Sequence, residues 1–96
     1  MKVRFARLAQ RDLVDASAWY DAQRAGLGPR FVAAVDSAIT AVSENPHRFP
    51  MVHGEARRAL VGRFPYGIYF LIVEDYVRVV AVVHLRRGAD AWLHRM

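Results

Sequence analysis

The sequence predicts an α+β fold with the element order β-α-α-β-β-β, in which a helical hairpin packs on a small antiparallel sheet and a short C-terminal helix or tail follows. Three observations predict it: an alternating segment at the start, two stretches with apolar residues at helical spacing, and three runs rich in Val, Ile, Tyr and Phe. The chain has 96 residues, 54% of them hydrophobic, which suits one core. We therefore expect a single domain over residues 1–96.

The first strand and the first helix are predicted from the spacing of their apolar side chains. Lys2 to Arg7 alternates charged and apolar side chains, as a short half-buried strand does. From Leu8 to Ala25 the chain has no Pro or Gly, and an apolar stripe recurs at helical spacing. The stripe consists of Leu13, Ala16 and Tyr20, while Asp12, Asp15 and Asp21 are expected to face water. Trp19 and Tyr20 are both expected to pack in the core.

A second helix is predicted after a segment of glycine and proline. Gly26 suits the left-handed residue that ends a helix, and Pro29 suits a first helical turn because its missing N–H needs no partner there. This helix carries the clearest apolar stripe, formed by Phe31, Val35, Ile39 and Val42. Asn45-Pro46 is expected to end it.

The second half of the chain is predicted to be a surface connection and three strands. The connection "NPHRFPMVHGE" contains His47 and His53, which are expected to be solvated. The strands are predicted over Ala56 to Arg63, Tyr66 to Glu74 and Tyr76 to Leu85, with a tight turn at Glu74-Asp75. Both alternating sets of side chains in the last two strands are largely apolar, so we expect these strands inside the sheet.

The charge of the chain favours an anionic partner. Its formal net charge is +5, and all of its 14 basic residues except Lys2 are arginines. Arginine presents a planar fork that suits phosphate, carboxylate and aromatic faces. A GC-rich genome would also favour Arg over Lys, but the positive charge itself raises the rate of encounter with any polyanion.

Several classes of protein are excluded by what the sequence lacks. It has no cysteine, so it has no disulfide framework or thiolate metal site, and a reducing cytoplasm fits this composition. Glu74, Asp75 and Arg78 interrupt the longest apolar stretch, so no membrane span is expected. His47 and His53 have no carboxylates nearby, so we expect no metal, and no pattern indicates a cofactor.

A compact group of basic and aromatic residues follows the most hydrophobic part of the chain. In "VVHLRRGADAW", Arg86 and Arg87 come directly after the last strand and Trp92 follows shortly. We predict that the tip of the sheet is a cationic surface with exposed guanidinium groups and an exposed indole. Plain structural roles stay open: charges that end a strand, a Trp92 that covers the core, and a His84 that is a satisfied buried imidazole.

Four segments together resemble the RelE/ParE superfamily, the toxins of type II toxin–antitoxin modules. They are "WYDAQRAGLGPRF", "ENPHRFP", "RRALVGRFPYGIYF" and "VVHLRR" followed by Trp92. The resemblance implies a growth-inhibiting toxin neutralised by a cognate antitoxin, whose flexible C-terminal segment is expected to be acidic. The expected antitoxin contacts are Phe31, Val35, Ile39 and Arg63.

The superfamily has a ribonuclease branch that cleaves messenger RNA on the ribosome. Its two strand lysines fall on Arg57 and Ala59, its strand-opening arginine falls on Tyr66, and its final tyrosine falls on Trp92, while Arg86 is retained. Most of the catalytic set is therefore missing, and Trp92 has no hydroxyl for proton transfer. If the chain is a ribonuclease, its catalytic residues are expected to be His84, Arg86, Arg57 and Tyr66, with His84 suited to acid–base work.

The ParE-like branch inhibits DNA gyrase by binding and needs no proton-transfer residues, so it fits this sequence better. The expected target contacts are Arg57, Arg58, Arg63, Arg86, Arg87, Trp92 and Arg95, with His94 beside them. The arginines of the second predicted strand, Ala56 to Arg63, could also be only the charged face of an edge strand. A third hypothesis is a non-toxic module that binds nucleic acid.

Overall fold

The computed structural model describes residues 1–96 and confirms the α+β fold. In chain order its elements are β1 (Lys2–Phe5), α1 (Arg7–Gln23), α2 (Leu27–Glu44), β2 (Met51–His53), β3 (Ala56–Leu60), β4 (Tyr66–Val73) and β5 (Tyr76–His84). Single 3-10 turns occupy Pro46–Arg48, Ala89–Ala91 and Leu93–Arg95. The strands form one sheet in the order β1-β5-β4-β3-β2, with both helices on one face. Neither helix combines the length and the apolar content that a bilayer crossing needs.

The sheet differs from the prediction in two respects. β1 pairs with β5 in parallel, so the sheet is mixed and not purely antiparallel. Met51–His53 forms a short edge strand inside the predicted surface connection. All three of its residues are exposed, so no apolar alternation marks it in the sequence. The prediction that β4 and β5 lie inside the sheet is confirmed.

Asp21 and two glycines build the turn between the helices. Gly26 has a φ of 91°, in the left-handed region that glycine tolerates best. The Asp21 carboxylate accepts hydrogen bonds from the backbone N–H groups of Gly26 at 2.9 Å and Gly28 at 3.1 Å. A carboxylate on α1 therefore caps the start of α2. A Cβ at Gly28 would lie 2.7 Å from the Ser17 carbonyl oxygen, so glycine is needed where the helices cross.

The helix-side face of the sheet carries the larger core, a cluster of 12 buried residues. At its centre the ring of Phe31 contacts those of Tyr20, Phe64 and Tyr66, with centroids 5.0 to 5.2 Å apart. Tyr20 thus packs against the core as predicted. The prediction for Trp19 is wrong, because this side chain is 57% exposed. Trp19 lies at the margin of the stripe, with its ring edge-on to that of Tyr20 at a centroid distance of 5.1 Å.

The opposite face, termed the tail-side face, carries five buried sheet residues under the C-terminal tail, residues 88–96, and Trp92 of the tail completes their cluster. A β-bulge shapes this face, because Tyr69 pairs with Ala81 and Phe70 pairs with Val79. Val80 is left without a partner on β4. Val80 and Ala81 consequently both pack on the tail side.

Candidate target-binding surface

The turn after β5 presents Arg86 and Arg87. The Leu85 N–H donates to the Pro65 carbonyl oxygen at 2.8 Å, and His84 Nδ1 accepts the Arg86 N–H at 3.0 Å. The second bond requires Nδ1 to be unprotonated, so His84 stabilises the turn through its ring. Both arginine side chains are exposed and neither forms an ion pair.

Arg58 reaches the same end of the sheet from β3. Arg58 and Arg87 line one small cavity of about 180 Å³, together with Leu85 and Trp92. Two of the predicted target contacts, Arg86 and Arg87, therefore lie at one end of the sheet, and a third, Arg58, shares a cavity with Arg87. We term these three residues the arginine tip.

The predicted exposure of the Trp92 indole is wrong. The side chain is only 1% exposed and stacks on Tyr69, with ring centroids 4.5 Å apart and an interplanar angle of 26°. No helix covers this face of the sheet, so the large ring supplies the apolar cover that the strands need. Trp92 thus anchors the tail and holds the neighbouring turn in place without presenting its own surface.

Arg95 is not a free cation either, and Asp12 does not face water as predicted. Arg95 Nη1 donates to Asp12 Oδ2 at 2.6 Å and to the Val80 carbonyl oxygen at 3.1 Å. The same carboxylate oxygen accepts the Val82 N–H at 3.0 Å. The pair is largely buried, with side-chain exposures of 13% and 15%.

The reason for this ion pair lies in the edge of β5. β1 ends at Phe5, opposite Val79, so the second half of β5 has no strand beside it on that side. The bulge also leaves the Val80 carbonyl without a ladder partner. Asp12 and Arg95 supply the missing acceptor and donor, as a neighbouring strand would do.

Arg57 is also committed to the fold, which corrects its predicted role as a free target contact. Its Nη1 donates to the carbonyl oxygens of His47 at 3.0 Å and Phe49 at 2.6 Å. Arg57 pairs with Phe70, four residues along β4 from Tyr66, which corresponds to about 13 Å. The four residues expected for a ribonuclease therefore do not assemble around one point.

Tyr66 and His84 do come together, because they face each other across β4 and β5 with ring centroids 5.4 Å apart. With Arg87 and Trp19 they line a cavity of about 250 Å³. Burial raises the pKa of Tyr66, and the nearby Tyr20 adds to this while Arg87 opposes it. The phenol stays protonated at neutral pH, so it can donate a hydrogen bond but cannot serve as a base.

Arg63 lies at a different site from the arginine tip. It is exposed, has a φ of 69°, and lines a groove of about 520 Å³ between the start of α2 and the loop after β3. Leu27, Arg30 and Phe64 line the same groove. Arg30 and the groove itself were not predicted from the sequence, because the groove forms between segments distant in the chain.

The predicted antitoxin contacts on α2 are corrected in part. Phe31 and Val35 are 0% exposed, so neither presents a surface to a partner. Ile39 is half-buried and packs against the same core. The apolar stripe of α2 is the one that holds the helix on the sheet, which is why it is the clearest in the sequence.

The fold is similar to that of a chain in a solved toxin–antitoxin system. A chain from the solved structure of the chromosomal ParDE toxin–antitoxin system from P. aeruginosa is similar with a TM-score of 0.79, over 88% of this chain and 95% of that chain, at 14% sequence identity. At this identity the likeness shows a shared fold. No curated protein matches the chain.

The family follows from the sequence match. The model of the ParE toxin of type II toxin–antitoxin system, parDE, matches residues 3–92. The chain therefore belongs to the ParE toxin family.

Proposed function

We propose that this ParE-family toxin inhibits DNA gyrase by binding it through the arginine tip. The observation that carries the proposal is the ordered turn that presents Arg86 and Arg87 to solvent without ion pairs. Arginine is among the residue types that dominate binding energy at interfaces. Inhibition by binding also needs no general base, which agrees with the dispersed positions of Arg57 and Tyr66.

The surroundings of the arginine tip suit a protein interface. Leu85 is 41% exposed beside the two arginines, so an apolar anchor adjoins the charges. The net charge of +5 increases the rate of encounter with gyrase bound to DNA. Trp92 and Arg95 contribute indirectly, since they hold the tail against the sheet.

The proposal includes a cognate antitoxin that neutralises the toxin in the cytoplasm. The groove that holds Arg30 and Arg63 has apolar walls from Leu27 and Phe64, so it combines two cations with apolar contacts. An acidic, flexible C-terminal segment with spaced apolar anchors is complementary to it. Such a segment would order as it binds.

A second candidate function, ribosome-dependent cleavage of messenger RNA, is favoured by one observation. Tyr66, His84 and Arg87 surround a cavity that Trp19 also lines, so the cavity offers stacking, a cation and an imidazole. His84 would then exchange the proton, because arginine remains charged.

Two assays on the purified toxin separate these functions. We expect inhibition of supercoiling by gyrase, no cleavage of ribosome-bound messenger RNA, and relief of inhibition by the protein encoded in the adjacent reading frame. Cleavage of ribosome-bound messenger RNA without inhibition of gyrase would overturn the proposal.

A double variant, Tyr66→Phe with His84→Asn, adds a test within the cell. Asn retains a side-chain acceptor for the turn, so the fold is expected to persist. Growth inhibition on induction is expected to match the unmodified chain. Complete loss of growth inhibition in a folded double variant would support the ribonuclease.

A further inference from the structure

Half of the tail-side face is left open, and its residues on β1 and β5 are basic and aromatic. The parallel register places Lys2 beside Tyr76 and Arg4 beside Arg78. Neighbouring strands lie about 4.8 Å apart, so the four side chains form one compact group. They point away from the helices, because the residues that alternate with them pack in the helix-side core. We term this group the cationic sheet patch.

The three cations of the patch have no acidic partner. The ion pair of the structure joins Arg95 to Asp12, and Lys2, Arg4 and Arg78 form no hydrogen bonds through their side chains. Arg4 lies over the Tyr76 ring at 5.1 Å from its centroid, which restrains the guanidinium. Like charges on directly opposed residues destabilise a sheet, so the Arg4 and Arg78 pair costs stability in the isolated chain.

Protection of the sheet edge explains only part of this pattern. Charged residues on an edge strand discourage unwanted strand pairing, which accounts for Lys2 and Arg4 on β1. Arg78 lies on β5, which has β1 on one side and β4 on the other. An interior strand needs no such protection, so protection of the edge does not account for Arg78.

We infer that the cationic sheet patch binds the phosphate backbone of duplex DNA. Arginine and lysine neutralise phosphates without reading the bases, and the resulting affinity depends on salt and not on sequence. Glu74 and Asp75, in the turn before Tyr76, end the patch at the tip of the hairpin. An acidic protein segment would also need apolar anchor pockets, which the separate groove at Arg30 provides. This inference does not rest on the proposed function, since it concerns contact with DNA alone.

The test compares two double variants that remove the same charge. The patch variant is Arg4→Gln with Arg78→Gln. The control is Arg24→Gln with Arg48→Gln, and both of these arginines are exposed outside the patch. Arg48 lies 5.3 Å from the Phe49 ring centroid, so it matches Arg4 as an arginine stacked on an aromatic ring. Binding to a labelled 30-base-pair duplex is measured by fluorescence anisotropy over a range of salt concentrations.

We expect the patch variant to bind about tenfold more weakly at moderate salt, and the slope of log K against log salt to fall by about 2, whereas the control changes about twofold or less. A second measurement uses the chain without substitutions, which is treated with phenylglyoxal to label arginines and then analysed by mass spectrometry. DNA is expected to protect Arg4 and Arg78 and to leave Arg48 reactive.

Three results would overturn the inference. One is equal weakening in both variants, which would reflect net charge alone. Another is the absence of DNA binding or of protection at Arg4 and Arg78. The third is stronger binding of the patch to poly-glutamate than to the duplex, which would assign it to an acidic protein. None of these results bears on gyrase inhibition, which is measured separately.

Discussion

The two faces of the sheet are covered in different ways. Helices of 17 and 18 residues cover one face over a cluster of 12 buried residues. The other face has five buried sheet residues under the C-terminal tail, which is held by Trp92 and Arg95. The helix-side face therefore holds most of the fold, whereas the tail-side face carries the arginine tip and the cationic sheet patch. A short tail is sufficient cover because Trp92 alone shields much of the apolar surface.

The largest expected effect lies in the helix-side core. Phe31→Ala removes a ring that contacts three other aromatic rings. The free energy of unfolding of the variant is expected to be about 4 kcal/mol lower than that of the unmodified chain. Urea unfolding followed by circular dichroism measures the change. Val14→Ala, at a site 58% exposed, is the control and is expected to change stability by less than about 0.5 kcal/mol. A loss below about 2 kcal/mol for Phe31→Ala would place the main core elsewhere.

The next effect concerns the cover of the opposite face. Trp92→Ala is expected to lower the free energy of unfolding by about 3 kcal/mol and to release the tail while the helix-side core persists. Limited trypsinolysis with mass spectrometry is expected to show faster cleavage at Arg86, Arg87 and Arg95. A tail that stays as protected as in the unmodified chain would contradict the anchoring role of Trp92.

A double-mutant cycle measures the second attachment of the tail. Asp12→Asn, Arg95→Gln and the combined variant are expected to give a coupling energy of about 2 kcal/mol, since both side chains are largely buried. The measurement is again urea unfolding. A coupling below about 0.5 kcal/mol would mean that the two groups do not act together on the edge of β5.

The smallest expected effect is a pH dependence of stability that arises from Tyr66 on the helix-side face. Burial raises the folded-state pKa of Tyr66 above its ordinary value of 10.0, so the folded chain holds this proton more tightly than the unfolded chain. The resulting stabilisation is fully present below pH 10 and is lost as the pH rises through the raised pKa.

Tyr66→Phe is therefore expected to lose less stability than the unmodified chain as the pH rises above about 10. Unfolding by urea across this range gives the comparison. Part of the dependence remains in the variant, because burial also raises the pKa of Tyr20. Identical pH profiles would contradict the assigned burial of Tyr66.

Local periodicity was sufficient to predict most of the fold. The stripe of α2 follows from the packing of this helix on the sheet. The two-sided apolar pattern of β4 and β5 follows from their position inside the sheet. The parallel pairing of β1 and the edge strand β2 were missed. Strand direction depends on the path of the chain through both helices, and β2 has no buried residue to mark it.

The site was harder to predict because it depends on contacts between distant segments. Arg86 and Arg87 are exposed as predicted, since they follow directly after a buried strand. Trp92 and Arg95 were predicted to be exposed, but a face without helices and a strand edge without a partner draw them inward. No local pattern carries that information. A sequence search for a carboxylate that could pair with Arg95 would have had nine acidic residues to consider.

The role of the arginine tip in gyrase inhibition is best measured by titrating toxin into a gyrase supercoiling assay. The variant Arg86→Gln with Arg87→Gln is compared with the unmodified chain and with Arg24→Gln plus Arg48→Gln, which removes the same charge. We expect the unmodified chain and the Arg24→Gln plus Arg48→Gln control to inhibit supercoiling. The Arg86→Gln plus Arg87→Gln variant is expected to lose inhibition while its stability stays unchanged. Equal inhibition by all three, or no inhibition by the unmodified chain, would contradict the role of the arginine tip.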